Sequence, residues 1–170
     1  MARAANLRNR SRALLLLSAV VLLLSSCDGS LVHSYRSTGG EWHRNDTLAF
    51  TNTLLYKEVP SMELYAGVRC SAAYPYKDLW LQVELLCGDS ATVVLRDTVQ
   101  CAIYDTDGRH HGTTAGTLYQ SEHFVTSLEL PHNTPFDVRI THLMGDTLLR
   151  GVYDVGIRLA SPCRHQSEGR

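Results

Sequence analysis

Apolar and polar residues alternate with a period of two over most of the chain after its first thirty residues. Such alternation is typical of β-strands that bury one face and expose the other. It predicts strands in five segments: Met62–Cys70, Leu79–Cys87, Val99–Tyr104, Phe136–Leu143 and Val152–Ala160. Further strands are expected near Thr47–Leu55, Thr92–Asp97 and Glu122–Leu130.

The same pattern assigns the side chains to faces. The polar partners, such as Gln82 and Glu84, point away from the core. The expected buried positions are Met62, Leu64, Ala66, Val68, Cys70, Leu79, Leu81, Val83, Leu85, Cys87, Val99, Cys101, Ile103, Phe136, Val138, Ile140, His142, Tyr153, Val155, Ile157 and Leu159.

Turn-forming clusters separate these segments, for example Asp105-Thr106-Asp107-Gly108 and Gly145-Asp146. No convincing helical periodicity longer than about ten residues follows the N-terminal region. Seven or eight short strands indicate an all-β fold with a single antiparallel β-sandwich, Ig-like or jelly-roll-like, over residues 47–160. A closed β-barrel is the alternative.

The first 26 residues have the features of an export signal. Arginines precede an apolar stretch of 12 residues, Ala13–Leu24, which is too short to span a bilayer because a spanning helix needs about 20 residues. The stretch ends in Leu24-Ser25-Ser26-Cys27, which resembles a bacterial lipobox. The resemblance implies cleavage before Cys27 and attachment of diacylglycerol to its thiol, and acyl chains of this kind anchor a protein to a membrane.

Cleavage at this point divides the chain into four parts. Residues 1–26 are the lipoprotein signal peptide, 27–46 the lipidated N-terminus and tether, 47–160 the sandwich and 161–170 a C-terminal tail. The mature chain then carries 12 Lys and Arg against 17 Asp and Glu, a net charge of −5. A net negative charge argues against a nucleic-acid partner, which calls for a basic patch.

Four cysteines remain after Cys27: Cys70, Cys87, Cys101 and Cys163. An exported chain with four cysteines allows three disulfide pairings. Two bridges, one bridge and buried free thiols all stay open, since cysteine is also among the most buried residue types.

Common catalytic and metal-binding motifs are absent from the sequence. Asp105–Gly112, with two Asp and two His, is the best metal candidate, but Asp-x-Asp-Gly is also an ordinary turn, and no metal site, catalytic residue or cofactor is assigned. Tyr74, Tyr76 and Trp80 form an aromatic group that favours either sugar stacking or packing at a strand entry.

Three blocks together resemble the GldH family of gliding-motility lipoproteins. They are Arg69 followed by YPYKDLWL at 74–81, DGRHHG at 107–112 continuing to GTLY at 116–119, and LRGVYDVGIR at 149–158. The likeness extends from about Tyr35 to Leu159. The second block departs from the family pattern, because His110 stands where a Trp is usual and Thr114 where a Gly is usual.

The resemblance implies a lipid-anchored envelope protein of Bacteroidetes, associated with the surface machinery of gliding and without an established enzymatic activity. We therefore expect a non-catalytic component of this or related envelope machinery, in the cell membrane or outer membrane, with protein partners in the envelope. The candidate partner-binding loop residues are Tyr74, Pro75, Tyr76, Trp80, Asp107, Gly108 and His110. A glycan-binding module is the alternative hypothesis, and an envelope enzyme is a weaker one.

Overall fold

The computed structural model describes residues 30–53, 61–88, 92–129 and 133–162. Within these ranges the secondary structure is β throughout, and no helix is long and apolar enough to cross a membrane. The strands are β1 Ser30–Ser37, β2 Glu41–His43, β3 Leu48–Thr53, β4 Ser61–Cys70, β5 Asp78–Cys87, β6 Thr92–Ala102, β7 Thr113–Ala115, β8 Leu118–Glu129, β9 Pro135–His142, β10 Leu148–Arg150 and β11 Val152–Ala160.

The strands form two main antiparallel sheets and one small one. The five-stranded sheet has the order β1-β11-β4-β8-β7, and the four-stranded sheet has the order β3-β9-β5-β6. Strands β10 and β2 form a two-stranded ribbon. Neither main sheet is closed on itself, which confirms the predicted sandwich rather than the closed alternative.

The core lies between the inner faces of the two main sheets. Leu64 and Val68 on β4 and Ile157 on β11 belong to the same buried cluster as Leu81 on β5 and Ile140 on β9. Each of these side chains is at most 1% exposed. Alternation therefore places the expected residues of these strands inside, and burial of this apolar surface is the main force that holds the sheets together.

The tether predicted over residues 27–46 is wrong for the residues that the structure describes from 30 onward. β1 pairs with β11 from Ser30 to Ser37, and β2 pairs with β10. Trp42 on β2 is 1% exposed and donates an indole hydrogen bond to Asp46 O at 3.0 Å. β1 was not predicted as a strand because its segment is rich in polar side chains.

Tyr153 also departs from the prediction, since its side chain is 40% exposed. The pairing of β11 with β4 shifts register between Val152 and Asp154. A bulge of this kind adds one residue to a strand and reverses which side chains point inward on either side of it. Val152 is buried in place of Tyr153.

Cys70, Cys87 and Cys101 are free thiols. Burial raises the pKa of both Cys70 and Cys101 to about 12. The signal peptide, the lipidation position Cys27 and the fourth cysteine, Cys163, lie outside the described residues.

Candidate functional site

The connection between β4 and β5 is organised by Tyr74. Its side chain is 2% exposed, and its hydroxyl donates a hydrogen bond to Asp78 O at 3.0 Å. Gly151 lies directly below, because a Cβ there would approach Tyr74 Cα to 2.7 Å. Tyr74 therefore supports the loop from within, and the prediction that it faces a partner or a sugar is wrong.

The connection between β6 and β7 begins with a turn held by one carboxylate. Asp105 Oδ1 accepts hydrogen bonds from the backbone N–H of Asp107 at 2.9 Å and of Arg109 at 2.8 Å. Gly108 has a φ of 76°, which favours glycine. The turn interpretation of Asp105–Gly108 is therefore confirmed, with the Asp105 carboxylate engaged by the backbone.

His110 fixes the second half of this connection between two tyrosines. Its ring stacks on Tyr119 with centroids 3.4 Å apart and planes 8° apart, and it lies 4.3 Å from the Tyr104 ring. Burial lowers the pKa of His110. The imidazole packs here as a flat ring between the two tyrosines.

The two connections contact each other through the backbone. Ile103 N and Tyr104 N both donate hydrogen bonds to Lys77 O, at 2.9 Å and 3.1 Å. Tyr104 Oη donates to Tyr74 O at 3.1 Å. We call this end of the sandwich, formed by residues 71–77, 103–112 and 143–147, the loop end.

The loop end exposes part of the set that the sequence singled out. Pro75, Tyr76, Asp107 and Gly108 are exposed, and His110 is half-buried. Tyr76 is held by a 2.5 Å hydrogen bond from its hydroxyl to Asp146 Oδ2. Trp80 lies outside the loops, on β5, where its side chain is 41% exposed on the outer face of the four-stranded sheet.

A second polar cluster, on the outer face of the five-stranded sheet, was missed by sequence reasoning. Arg69 lies 4.0 Å above the Tyr35 ring, donates to Gln120 Oε1 at 2.8 Å and pairs with Asp154 at 3.7 Å. Burial is the main reason that the pKa of Tyr35 rises to about 12. The sequence places Arg69 and Asp154 on outward positions of their strands, but it does not show that this cluster draws its side chains from four strands.

An equivalent arrangement surrounds Arg158. Its guanidinium lies 4.0 Å from the Tyr65 ring centroid and donates a hydrogen bond to Glu122 Oε2 at 2.7 Å. His33 approaches the same carboxylate at 3.6 Å. An open cavity of about 640 Å³ lies beside these side chains and reaches Gly112.

Two strand glycines make room for Tyr35. A Cβ at Gly67 would collide with the Tyr35 side chain, and one at Gly156 would lie 2.6 Å from Ser34 O. The ring therefore lies flat across β11 and β4 instead of projecting into solvent. Arg69, from the first block of family resemblance, pairs with Asp154, from the third, on this face.

Comparisons with known proteins agree over most of the chain. The family model for the GldH lipoprotein matches residues 30–159. A Flavobacterium johnsoniae protein described as gliding motility lipoprotein GldH is 26% identical over 161 residues, which cover 90% of this chain and 98% of that protein.

Among solved structures, a family GH115 4-O-methyl-α-glucuronidase with specificity for decorated arabinogalactans aligns with a TM-score of 0.46 and 15% identity. The alignment covers 81% of this chain and 18% of the glucuronidase. The VP2 subviral particle of infectious bursal disease virus aligns with a TM-score of 0.35 and 12% identity, over 78% of this chain and 32% of VP2.

Proposed function

The chain belongs to the GldH lipoprotein family, and from that premise we propose that it is a non-catalytic, lipid-anchored component of gliding-motility or related envelope machinery. The observation that carries the proposal is the family match over residues 30–159, which includes both main sheets and the loop end. The role in this machinery is to bind protein partners in the envelope and to stabilise their assembly.

The proposed anchor is a diacylglyceryl group on Cys27. The lipobox-like Leu24-Ser25-Ser26-Cys27 supports it, because the cysteine occupies the position at which the lipid is attached in such signals. Two or three acyl chains bind a bilayer firmly, at about 0.8 kcal/mol per buried methylene. Cys27→Ser should move the protein from the membrane pellet to the soluble fraction, and a variant that still sediments with membranes would contradict the anchor.

The proposed partner-binding surface is the loop end. Pro75, Tyr76, Asp107 and Gly108 are exposed there, while Trp80 and the half-buried His110 flank them. Backbone hydrogen bonds to Lys77 and the His110–Tyr119 stack fix the loops before any partner arrives. Pre-ordered loops lose less conformational entropy on binding, and tyrosine is enriched in protein interfaces.

Site-specific photo-crosslinking in living cells tests this surface. A crosslinking residue at position 76 or 107 should capture one or more envelope proteins, identified by mass spectrometry. The control is position 124, because Phe124 is also surface-exposed, at 53% against 37% for Tyr76, but lies on the outer face of the five-stranded sheet. Capture at 124 with none at 76 and 107 would place the partner elsewhere, and lipid adducts alone at all three would refute partner binding.

A deletion strain tests the cellular role. The wild-type gene should restore gliding and surface protein export, whereas a Tyr76→Ala, Asp107→Ala double variant should be made in normal amount and restore neither fully. Full restoration by the double variant would remove the loop end from the proposal while leaving the membership in the machinery intact.

A further inference from the structure

The outer face of the four-stranded sheet presents one of the two tryptophans of the chain to solvent. Trp42 is buried, but Trp80 is 41% exposed near one end of this face, on β5 one residue before its pairing with β9 begins. Its register partner on β6 is Gln100, and on the β9 side Leu143 N donates a hydrogen bond to Trp80 O at 2.8 Å. A flat aromatic surface therefore stands in an exposed row between an amide and a leucine.

Polar side chains fill the next two rows along β5. Gln82 stands between Thr98 and Thr141, and Glu84 stands between Arg96 and Arg139. Successive outward residues of a strand are about 6.6 Å apart, so these rows continue from Trp80 at short, regular intervals. A groove of about 490 Å³ runs beside them and is lined by Thr47, Ala49, Gln82, Glu84, Arg139 and Thr141.

Both arginines of this face are paired within the face itself. Arg96 Nε contacts Glu84 Oε1 at 2.8 Å, and Arg139 Nε contacts Asp137 Oδ2 at 2.8 Å. Asp78, two residues before Trp80 on the same side of β5, adds a third carboxylate, so the face has no surplus positive charge to attract an anionic ligand. Gln82 Nε2 donates to Glu84 Oε1 at 3.0 Å, so the groups that remain for a ligand are the indole face, the Gln82 carbonyl oxygen, the Gln100 amide and hydroxyls.

This combination matches the surface of a sugar chain. A pyranose presents C–H groups on its faces, which pack against an aromatic ring, and hydroxyls at its edges, which pair with amide and hydroxyl side chains. Sheet faces bind oligosaccharides in other small β folds. We infer that the outer face of the four-stranded sheet binds a neutral oligosaccharide chain, with Trp80 stacking on one ring and Gln82, Thr98 and Gln100 bonding hydroxyls.

This inference goes beyond the proposed function and concerns the outer face of the four-stranded sheet, which adjoins the loop end at Trp80 and Leu143. It also revises the sequence-based sugar hypothesis, in which Tyr74, Tyr76 and Trp80 stack on the sugar together. Tyr74 is buried, and the Tyr76 hydroxyl is bonded to Asp146. Trp80 is the member that keeps an accessible ring, and its partners are the strand neighbours.

Binding of defined saccharides to the full-length protein tests the inference. The protein is purified in a detergent without a sugar headgroup, and Trp fluorescence is titrated with three neutral probes, cellohexaose, maltohexaose and chitohexaose. We expect saturable binding to at least one probe. Binding to a glucan indicates polysaccharide as the source, and binding to chitohexaose alone, whose N-acetylglucosamine units also occur in peptidoglycan, indicates the cell wall.

Two variants and a matched control decide the site. Trp80→Ala should raise the Kd at least tenfold, measured by calorimetry, because a central stacking residue dominates such contacts. Phe124→Ala removes an exposed ring from the opposite sheet and should leave the Kd unchanged. Thr98→Val keeps the shape of an exposed side chain and removes one hydroxyl, so it should raise the Kd about threefold.

The outcomes that overturn the inference are equally definite. No saturable binding to any of the three probes would refute it, as would a Trp80→Ala protein with wild-type thermal unfolding and wild-type Kd. If Trp80→Ala does not fold, an unchanged Kd for Thr98→Val, or a Kd raised as much by Phe124→Ala as by Thr98→Val, would refute it instead.

Discussion

Tyr35 and Gly67 provide the sharpest test of the packing on the five-stranded sheet. The three heavy atoms nearest to the Cβ of a Gly67→Ala variant all belong to the Tyr35 side chain, and among them Cζ would be 2.9 Å away and Cε1 3.2 Å away. Gly67 has no positive φ, so alanine is compatible with the backbone. The whole penalty should therefore come from displacing one ring.

The magnitude follows from what the displacement breaks. Inserting a methyl into an occupied site destabilises a protein by about 1–3 kcal/mol. Part of this is the contact of Arg69 with the Tyr35 ring, 4.0 Å from the centroid, since a cation–π pair contributes about 0.5–1 kcal/mol at exposed sites. In a Tyr35→Ala background the obstacle is gone, and alanine should stabilise the strand by about 0.5–1 kcal/mol relative to glycine.

The prediction is thus a change of sign, with a coupling free energy of about 1.5–4 kcal/mol between the two positions. Gly156→Ala is the contrasting variant, because its Cβ would lie 2.6 Å from the backbone oxygen of Ser34. Removing Tyr35 leaves that contact in place. Gly145→Ala is the neutral control, since no atom lies within 4 Å of its Cβ.

Urea unfolding followed by far-UV circular dichroism measures each free energy. Gly67→Ala should lower the midpoint in the wild-type background and raise it slightly in Tyr35→Ala. Gly156→Ala should lower it in both. An equal loss for Gly67→Ala in both backgrounds would show that the Tyr35 ring does not lie over Gly67, and would refute the packing described for this face.

Three further predictions concern titratable groups. Because the pKa of Tyr35 is raised to about 12, the native state retains the hydroxyl proton to a higher pH than the unfolded state does, and stability should fall between pH 10 and pH 12. Tyr35→Phe should reduce that fall, as measured by urea titrations at pH 8 and pH 11. An equal fall in both proteins would contradict it. Burial lowers the pKa of His142, so the native state binds the imidazole proton less readily than the unfolded state does. Stability should therefore decrease as the pH falls below about 6.5. His142→Phe should flatten this pH dependence in the same urea assay. Burial raises the pKa of Cys70 and of Cys101 to about 12, so at pH 8 a maleimide should label Cys87 before either of them. Peptide mass spectrometry measures the labelling rates, and equal rates at the three cysteines would argue against the buried placement of Cys70 and Cys101.

Strands with one clean apolar face were predictable from the sequence. β4, β5 and β9 each alternate over eight residues or more, and their inward side chains are those that the period of two selects. β6 was expected as two pieces, because its first half is exposed on both faces at the sheet edge. β1 was missed for a related reason, since Tyr35, Arg36 and Ser37 do not present an apolar stripe.

The candidate surfaces were predictable only in part. The loops around Tyr76 and Asp107 were predictable from their turn-forming residues. In the structure, backbone hydrogen bonds to Lys77 O hold the two loops together. The burial of Tyr74 depends on Gly151, 77 residues away, so no local pattern reveals it. The Tyr35–Arg69–Asp154 cluster draws on β1, β4 and β11, and its formation depends on strand order, which alternation does not specify.

The early start of β1 constrains how the domain stands on a bilayer. Three residue steps separate Cys27 from Ser30, and they span at most about 11 Å. The proposed acyl group on Cys27 would therefore lie within this distance of the Ser30 and Ala160 end of the sandwich. β1 runs about 23 Å from there to Ser37, next to Gly40 and Gly151. With the proposed anchor in place, we expect the loops that carry Tyr76 and Asp107, at the opposite end of the sandwich, to be displayed to neighbours on the aqueous side rather than to lipid.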